Sequence, residues 1–175
     1  TTTFDEYGNW MDKQLFGENE VNKVYCRKEK VDIELGMTEE DYSILYENHL
    51  KNVIQVIEDN PQIEFYLFFP PYSIYYWDDA NQKGELRKVL QGEMRVIELL
   101  VGYSNVHLYA FLDEYEMICN LENYKDTIHY SEDINSQILV WMKEGTHQLT
   151  KDNYMDYCKR VNDFYTNYNY DKLFE

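Results

Sequence analysis

The chain is short of cysteine, proline, glycine and positive charge, and each shortage removes a class of protein. Its three cysteines in 175 residues are Cys26, Cys119 and Cys158, far apart and without a Cys-x-x-Cys pair. That spacing argues against a structural zinc site and against a disulfide framework. The three read as reduced or partly buried thiols, although pairing of two of them is left open. With 7 glycines and 3 prolines against 44% hydrophobic and 17% aromatic residues, a disordered chain is excluded. The 16 basic residues face 33 acidic ones, a formal net charge of -17, and they are dispersed. Nucleic acid is therefore excluded as a partner, because phosphate binding needs clustered Lys and Arg. An anionic membrane surface is disfavoured for the same reason. The field of such a chain repels anionic substrates unless a local cation offsets it. Long apolar runs are missing too. The longest, around Phe65 to Phe69, is far too short to span a membrane or to serve as a signal peptide.

What is present is enough for one domain, or most of one, with a real core. Residues 1–36 form a poorly patterned N-terminal segment with a turn-like Tyr7-Gly8-Asn9 and a candidate short strand from Lys23 to Cys26. Thr38 then predicts a helix N-cap, with Asp41 completing a capping box. Leu45, His49, Leu50, Val53, Ile54 and Ile57 follow at helical spacing up to Asn60-Pro61. The run Ile63 to Phe69, closed by Pro70-Pro71, reads as a buried strand of a parallel sheet. A second helix is expected from about Ala80 to Val101, with Gly102 as a left-handed C-cap. Val106 to Leu112 reads as a second strand. Ser131 is expected to cap a helix through Ile134, Ile138, Trp141 and Met142, ended by Gly145. Thr150 is expected to cap a last helix that turns Tyr154, Tyr157, Cys158, Val161, Phe164 and Tyr165 inward. Alternation of this kind predicts an α/β layered fold with a mainly parallel sheet. Two clear strands are too few for a complete doubly wound sheet, so the fold is read as incomplete within these residues.

Ligands of open α/β sheets gather beyond the carboxyl ends of the strands. That rule singles out Pro70-Pro71-Tyr72-Ser73 and the stretch from Asp113 to His129. Within the latter, Asp126 precedes His129 by three residues. A carboxylate so placed accepts the proton of one ring nitrogen and fixes the tautomer, leaving the other nitrogen to act as a base. The competing reading has Asp126 and Ser131 capping the next helix while His129 packs on Tyr130. Ser73 is a candidate to line the site or to serve as a non-standard nucleophile, with a turn serine satisfied by its own backbone as the alternative. Trp77, beside Tyr75 and Tyr76, is a candidate to stack a sugar ring, with packing under a loop as its alternative. His49 and His107 read as core or boundary histidines, and His147 shows no acidic neighbour at ligand spacing. Asp78-Asp79 and Asp113-Glu114 read as solvated acidic turns rather than cation sites. No metal or cofactor is expected.

The run Asn120-Leu121-Glu122-Asn123-Tyr124-Lys125-Asp126-Thr127-Ile128-His129-Tyr130-Ser131, followed by Asp133-Ile134-Asn135, resembles the C-terminal signature of SGNH/GDSL-type hydrolases. It is most like the bacterial branch associated with cell-surface polysaccharide and teichoic-acid genes. Phe68-Phe69-Pro70-Pro71-Tyr72-Ser73 resembles a strand-end segment of the same branch. The resemblance implies a flavodoxin-like three-layer α/β/α fold and esterase or O-acyltransferase chemistry on an acylated glycan or related cell-envelope polymer. It makes His129 the general base and Asp126 its orienting partner, with Tyr72, Ser73 and Trp77 as substrate-side candidates. It also implies work at the extracytoplasmic face of a bacterial membrane, through a segment outside these residues, with the cytoplasm as the alternative. The sequence departs from the pattern in two respects: no Gly-Asp-Ser-like turn opens the chain, and the family's oxyanion-hole Gly and Asn blocks are not recognisable in it. The expectation is therefore the C-terminal part of a longer protein, separated from its nucleophile and inactive alone. A non-catalytic glycan- or protein-binding α/β module is the alternative, and the oligomeric state is left open.

Overall fold

A computed structural model describes residues 14–175. The turn expected at Tyr7-Gly8-Asn9 lies outside them, as does the side chain of His49. The described residues form eight α-helices and one small mixed sheet. In chain order these are α1 (Glu18–Val24), α2 (Glu39–Leu45), a π-turn (Tyr46–Leu50), α3 (Lys51–Asp59), β1 (Phe65–Phe69), α4 (Ile74–Gln82), α5 (Leu86–Leu100), β2 (Val106–Ala110), α6 (Tyr115–Cys119), α7 (Glu132–Glu144), β3 (Gln148–Leu149) and α8 (Tyr154–Asn167). Strands β1 and β2 pair in parallel, with Phe65 opposite Val106 and Phe69 opposite Ala110. Strand β3 adds antiparallel to β2. The chain is α/β with one parallel pair.

Local chemistry accounts for most of these elements. The Thr38 hydroxyl accepts from the Asp41 amide while the Asp41 carboxylate accepts from the Thr38 amide, so the predicted capping box forms. Gly145 ends α7 at φ 74°, the left-handed conformation a C-cap glycine supplies.

Four expectations are corrected. Lys23 to Val24 belongs to the helix α1 rather than to a strand, and Val21 on that helix is fully buried. The single helix expected from Ala80 is two, because the chain turns at Lys83-Gly84. There the arm 31–35 crosses, with Val31 N–H donating to the Gln82 carbonyl and Leu35 N–H to that of Gly84. Gly84 sits at φ 70°, and a Cβ on it would run into the Ile33 carbonyl. Gly102 is not left-handed; the left-handed glycines among the described residues are Gly17, Gly84 and Gly145. Finally, the last helix is opened by Asn153, whose side chain accepts from the Thr150 amide, so Thr150 lies in the turn before it.

The core joins Ile74, Trp77, Leu90, Ile97, Leu108, Ile118, Val161 and Tyr165 between the sheet and helices α4, α5 and α8. A second cluster places Tyr109 and Phe111 under Ile138 and Trp141 of α7. Strand β2 is thus covered on both faces. Strand β1 is not: Phe65, Leu67 and Phe69 turn inward while Tyr66 and Phe68 are exposed. The near-continuous apolar run that reads as doubly buried is buried on one face, because α7 packs over Tyr109 and Phe111 and leaves Tyr66 and Phe68 exposed. Tyr66 instead stacks on His107 of β2 at 4.5 Å.

Candidate active site

The loop between α6 and α7 closes on itself beside the carboxyl end of β1. Tyr124 and Tyr130 form an isolated antiparallel bridge, Lys125 N–H donates to the His129 carbonyl, and Ser131 N–H donates to the Asn123 carbonyl. Asp126 folds the loop's tip. Its Oδ1 accepts from the amides of Ile128 at 2.9 Å and His129 at 2.8 Å, the turn that short carboxylate side chains favour. Its Oδ2 lies 2.7 Å from His129 Nδ1. Both oxygens are therefore used inside the loop and neither caps α7. Ser131 has the extended backbone of an N-cap, but its hydroxyl accepts no capping bond.

Electrostatics follow from that geometry. Partial burial of Asp126 acts to raise its pKa. The amides of Ile128 and His129 and the His129 ring outweigh it, so the carboxyl is held below the usual carboxylate range. A carboxylate in that state fixes Nδ1 of His129 as a proton donor. In the neutral ring Nε2 then carries the lone pair, and it has no hydrogen-bond partner among the described residues. The His129 side chain is 58% exposed. It borders a cleft of about 620 Å³ lined also by Phe16, Phe68, Tyr72, Ile128 and Tyr130. Tyr72, one of the residues singled out by sequence, is thus beside the dyad.

The other two are elsewhere in role. Ser73 has no exposed surface; its hydroxyl donates to the Thr127 carbonyl at 2.9 Å. Trp77 is also fully buried, stacked on Tyr165 at 4.1 Å, so its ring offers no face to a sugar. Asp78 is not a solvated turn residue but a buried carboxylate that accepts from Tyr25, Arg27 and Gln82. The thiols of Cys26, Cys119 and Cys158 are free, and burial pushes that of Cys158 up to about 11.

Sequence reasoning missed a second constellation. His147, at a left-handed φ of 62°, places Nε2 3.3 Å from Glu114 and Nδ1 3.8 Å from Asp113. Asp113 also pairs with Arg160 at 3.1 Å. The partners are more than thirty residues apart in the chain, so only the antiparallel return of β3 along β2 brings them together. The exposed aromatics of the cleft had a readable signal, the odd–even alternation along β1, which the continuous run of apolar residues masked. Among the described residues no group of three or more His, Cys, Asp or Glu side chains could hold a metal ion, and no helix is long and apolar enough to cross a membrane.

Compared with known proteins, the chain matches no family model, no curated protein and no solved structure.

Proposed function

We propose that Asp126 and His129 are the base half of an acyl-transfer triad, in the C-terminal part of an SGNH-like esterase or O-acyltransferase. Its substrate class would be an acylated glycan or related cell-envelope polymer. The observation that carries this reading is the 2.7 Å Nδ1–Oδ2 contact on an exposed ring that borders the cleft and whose Nε2 has no hydrogen-bond partner among the described residues. A buried scaffolding histidine has both nitrogens satisfied within the protein; here one is anchored on Asp126 and the other has no partner among the described residues.

The chemistry follows from the arrangement. A serine supplied from outside the described residues attacks the acyl carbonyl, and Nε2 of His129 takes its proton. Asp126, accepting from Nδ1, holds the ring and stabilises the imidazolium. Nε2 then returns the proton to the leaving oxygen, and the acyl group passes to water or to an acceptor hydroxyl by the reverse sequence. A flavodoxin-like layering is part of the same proposal. It is supported by the parallel β1–β2 pair and by the outer edge of β1, which has no strand partner among the described residues.

In the full-length protein, Asp126→Asn and His129→Ala should each lower turnover of an acylated substrate by about 10³-fold or more while leaving the circular dichroism spectrum unchanged. Wild-type turnover by either variant would overturn the assignment. A second reading, a non-catalytic binding module, is favoured by the aromatic lining of the cleft. It predicts that His129→Ala leaves glycan affinity intact while Phe68→Ala and Tyr72→Ala abolish it, with no turnover in any form.

A further inference from the structure

The Thr127–Ile128 peptide unit is held at both ends. Its amide, on Ile128, donates to Asp126 Oδ1 at 2.9 Å. Its carbonyl, on Thr127, accepts from the Ser73 hydroxyl at 2.9 Å and from the Ser73 amide at 3.1 Å. Ser73 is the residue before α4 and is fully buried, so its two donors are fixed in direction. A rigid group beyond the end of β1 therefore sets the plane of one of the two peptides whose N–H points at the dyad carboxylate, the other being that of His129. A second tie runs beside it, from the buried Tyr124 hydroxyl to the Pro71 carbonyl at 2.7 Å. Together these three bonds pin a loop of irregular backbone to the strand end.

We infer that Ser73 is a positioning residue for the Asp126–His129 dyad: it orients the Thr127–Ile128 peptide, which orients Asp126, which orients the His129 ring. Its buried hydroxyl is thus spent on the loop and is not available as a nucleophile. The inference concerns the geometry of the dyad and rests on the proposed function only for its consequence in turnover.

Geometry makes the alternative distinguishable. A serine that merely contributes to stability would act on the whole fold, whereas this one acts through a single peptide plane on a single imidazole. Removing its hydroxyl leaves the Ser73 amide bond in place, so the loop stays near its position but gains freedom about that peptide. The ring of His129, more than half exposed, has little else to hold it.

The test is nitrogen-15 and proton NMR of the His129 ring in the chain itself, a readout that does not require turnover. In the wild type the Nδ1 proton should resonate downfield, as a proton hydrogen-bonded to a carboxylate does, and Asp126→Asn should shift it upfield as a reference. Ser73→Ala and Tyr124→Phe should each speed solvent exchange of that proton by about fivefold, the factor expected when one neutral hydrogen bond is lost. Ile97→Val, a buried core site on α5 remote from the loop in sequence, serves as a control for loss of stability. It should leave the His129 signals where they are. Wild-type exchange in Ser73→Ala would overturn the inference, as would an equal change in Ile97→Val. Failure of the acyl-transfer proposal would show instead as normal turnover by Asp126→Asn, so the two outcomes are separable.

Discussion

Glu93 offers the sharpest quantitative test of this packing. It lies on the face of α5 that meets α8, beside Tyr157, Cys158 and Val161. Its Oε2 is sealed from solvent and has no hydrogen-bond partner among the described residues. Desolvation raises its pKa from 4.5 to about 8. In the folded state the carboxyl is therefore neutral over a range where the unfolded chain has already lost the proton. Between about pH 4.5 and 8 the folded form binds more protons, so stability must fall as pH rises through that window and level off above it. At about 1.4 kcal/mol per pH unit, the full interval bounds the loss at about 5 kcal/mol. Glu93 keeps part of its surface in contact with solvent, so we expect about half of that. Urea unfolding of the wild type and Glu93→Gln at pH 5, 6.5 and 8 measures it directly. The amide has the same shape and does not titrate, so the difference between the two removes the background from the many surface carboxylates. Glu93→Gln should lose about 2 kcal/mol less than the wild type between pH 5 and 8. Parallel pH dependences for the two proteins would refute the reasoning.

Two further perturbations probe how the N-terminal arm is tied down. Arg27→Ala removes the cation 3.0 Å from Asp78 and leaves that fully buried carboxylate with Tyr25 and Gln82 alone. The cost should be about 3 kcal/mol by thermal unfolding, and adding Asp78→Asn should recover part of it; a double variant less stable than the single would contradict this. Gly84→Ala and Gly145→Ala occupy similar left-handed conformations, but only the first would meet backbone. Calorimetry should find about 1 kcal/mol lost at Gly145 and at least twice that at Gly84, and equal losses would rule out the close crossing of the arm.

Much of the architecture was legible because it depends on neighbours in the chain. Thr38 and Asp41 are three residues apart, so the capping box could be read directly, as could the apolar stripes of α3 and α7 and the glycine that ends α7. The Asp126–His129 pair was legible for the same reason: a turn of four residues places the carboxylate within reach of the ring without help from the rest of the fold. The break between α4 and α5 was not, because the residue that demands it, Gly84, is dictated by contact with Ile33, fifty-one positions earlier. The roles of Ser73 and Trp77 were not legible either. Whether a side chain near a strand end faces a cleft or the core depends on which helix covers it.

The sequence by itself thus determined the α/β class, the excess of acidic over basic residues and the pairing of a histidine with a carboxylate, all of which follow from composition or short-range spacing. Tertiary structure alone decided that His129 borders an aromatic cleft and that Ser73 is buried with its hydroxyl on the Thr127 carbonyl. It also decided that His147 meets Asp113 and Glu114, and that β1 is covered on one face only. These are matters of distance between segments far apart in the chain. Such distances are set by how the helices and strands pack, which local pattern does not encode.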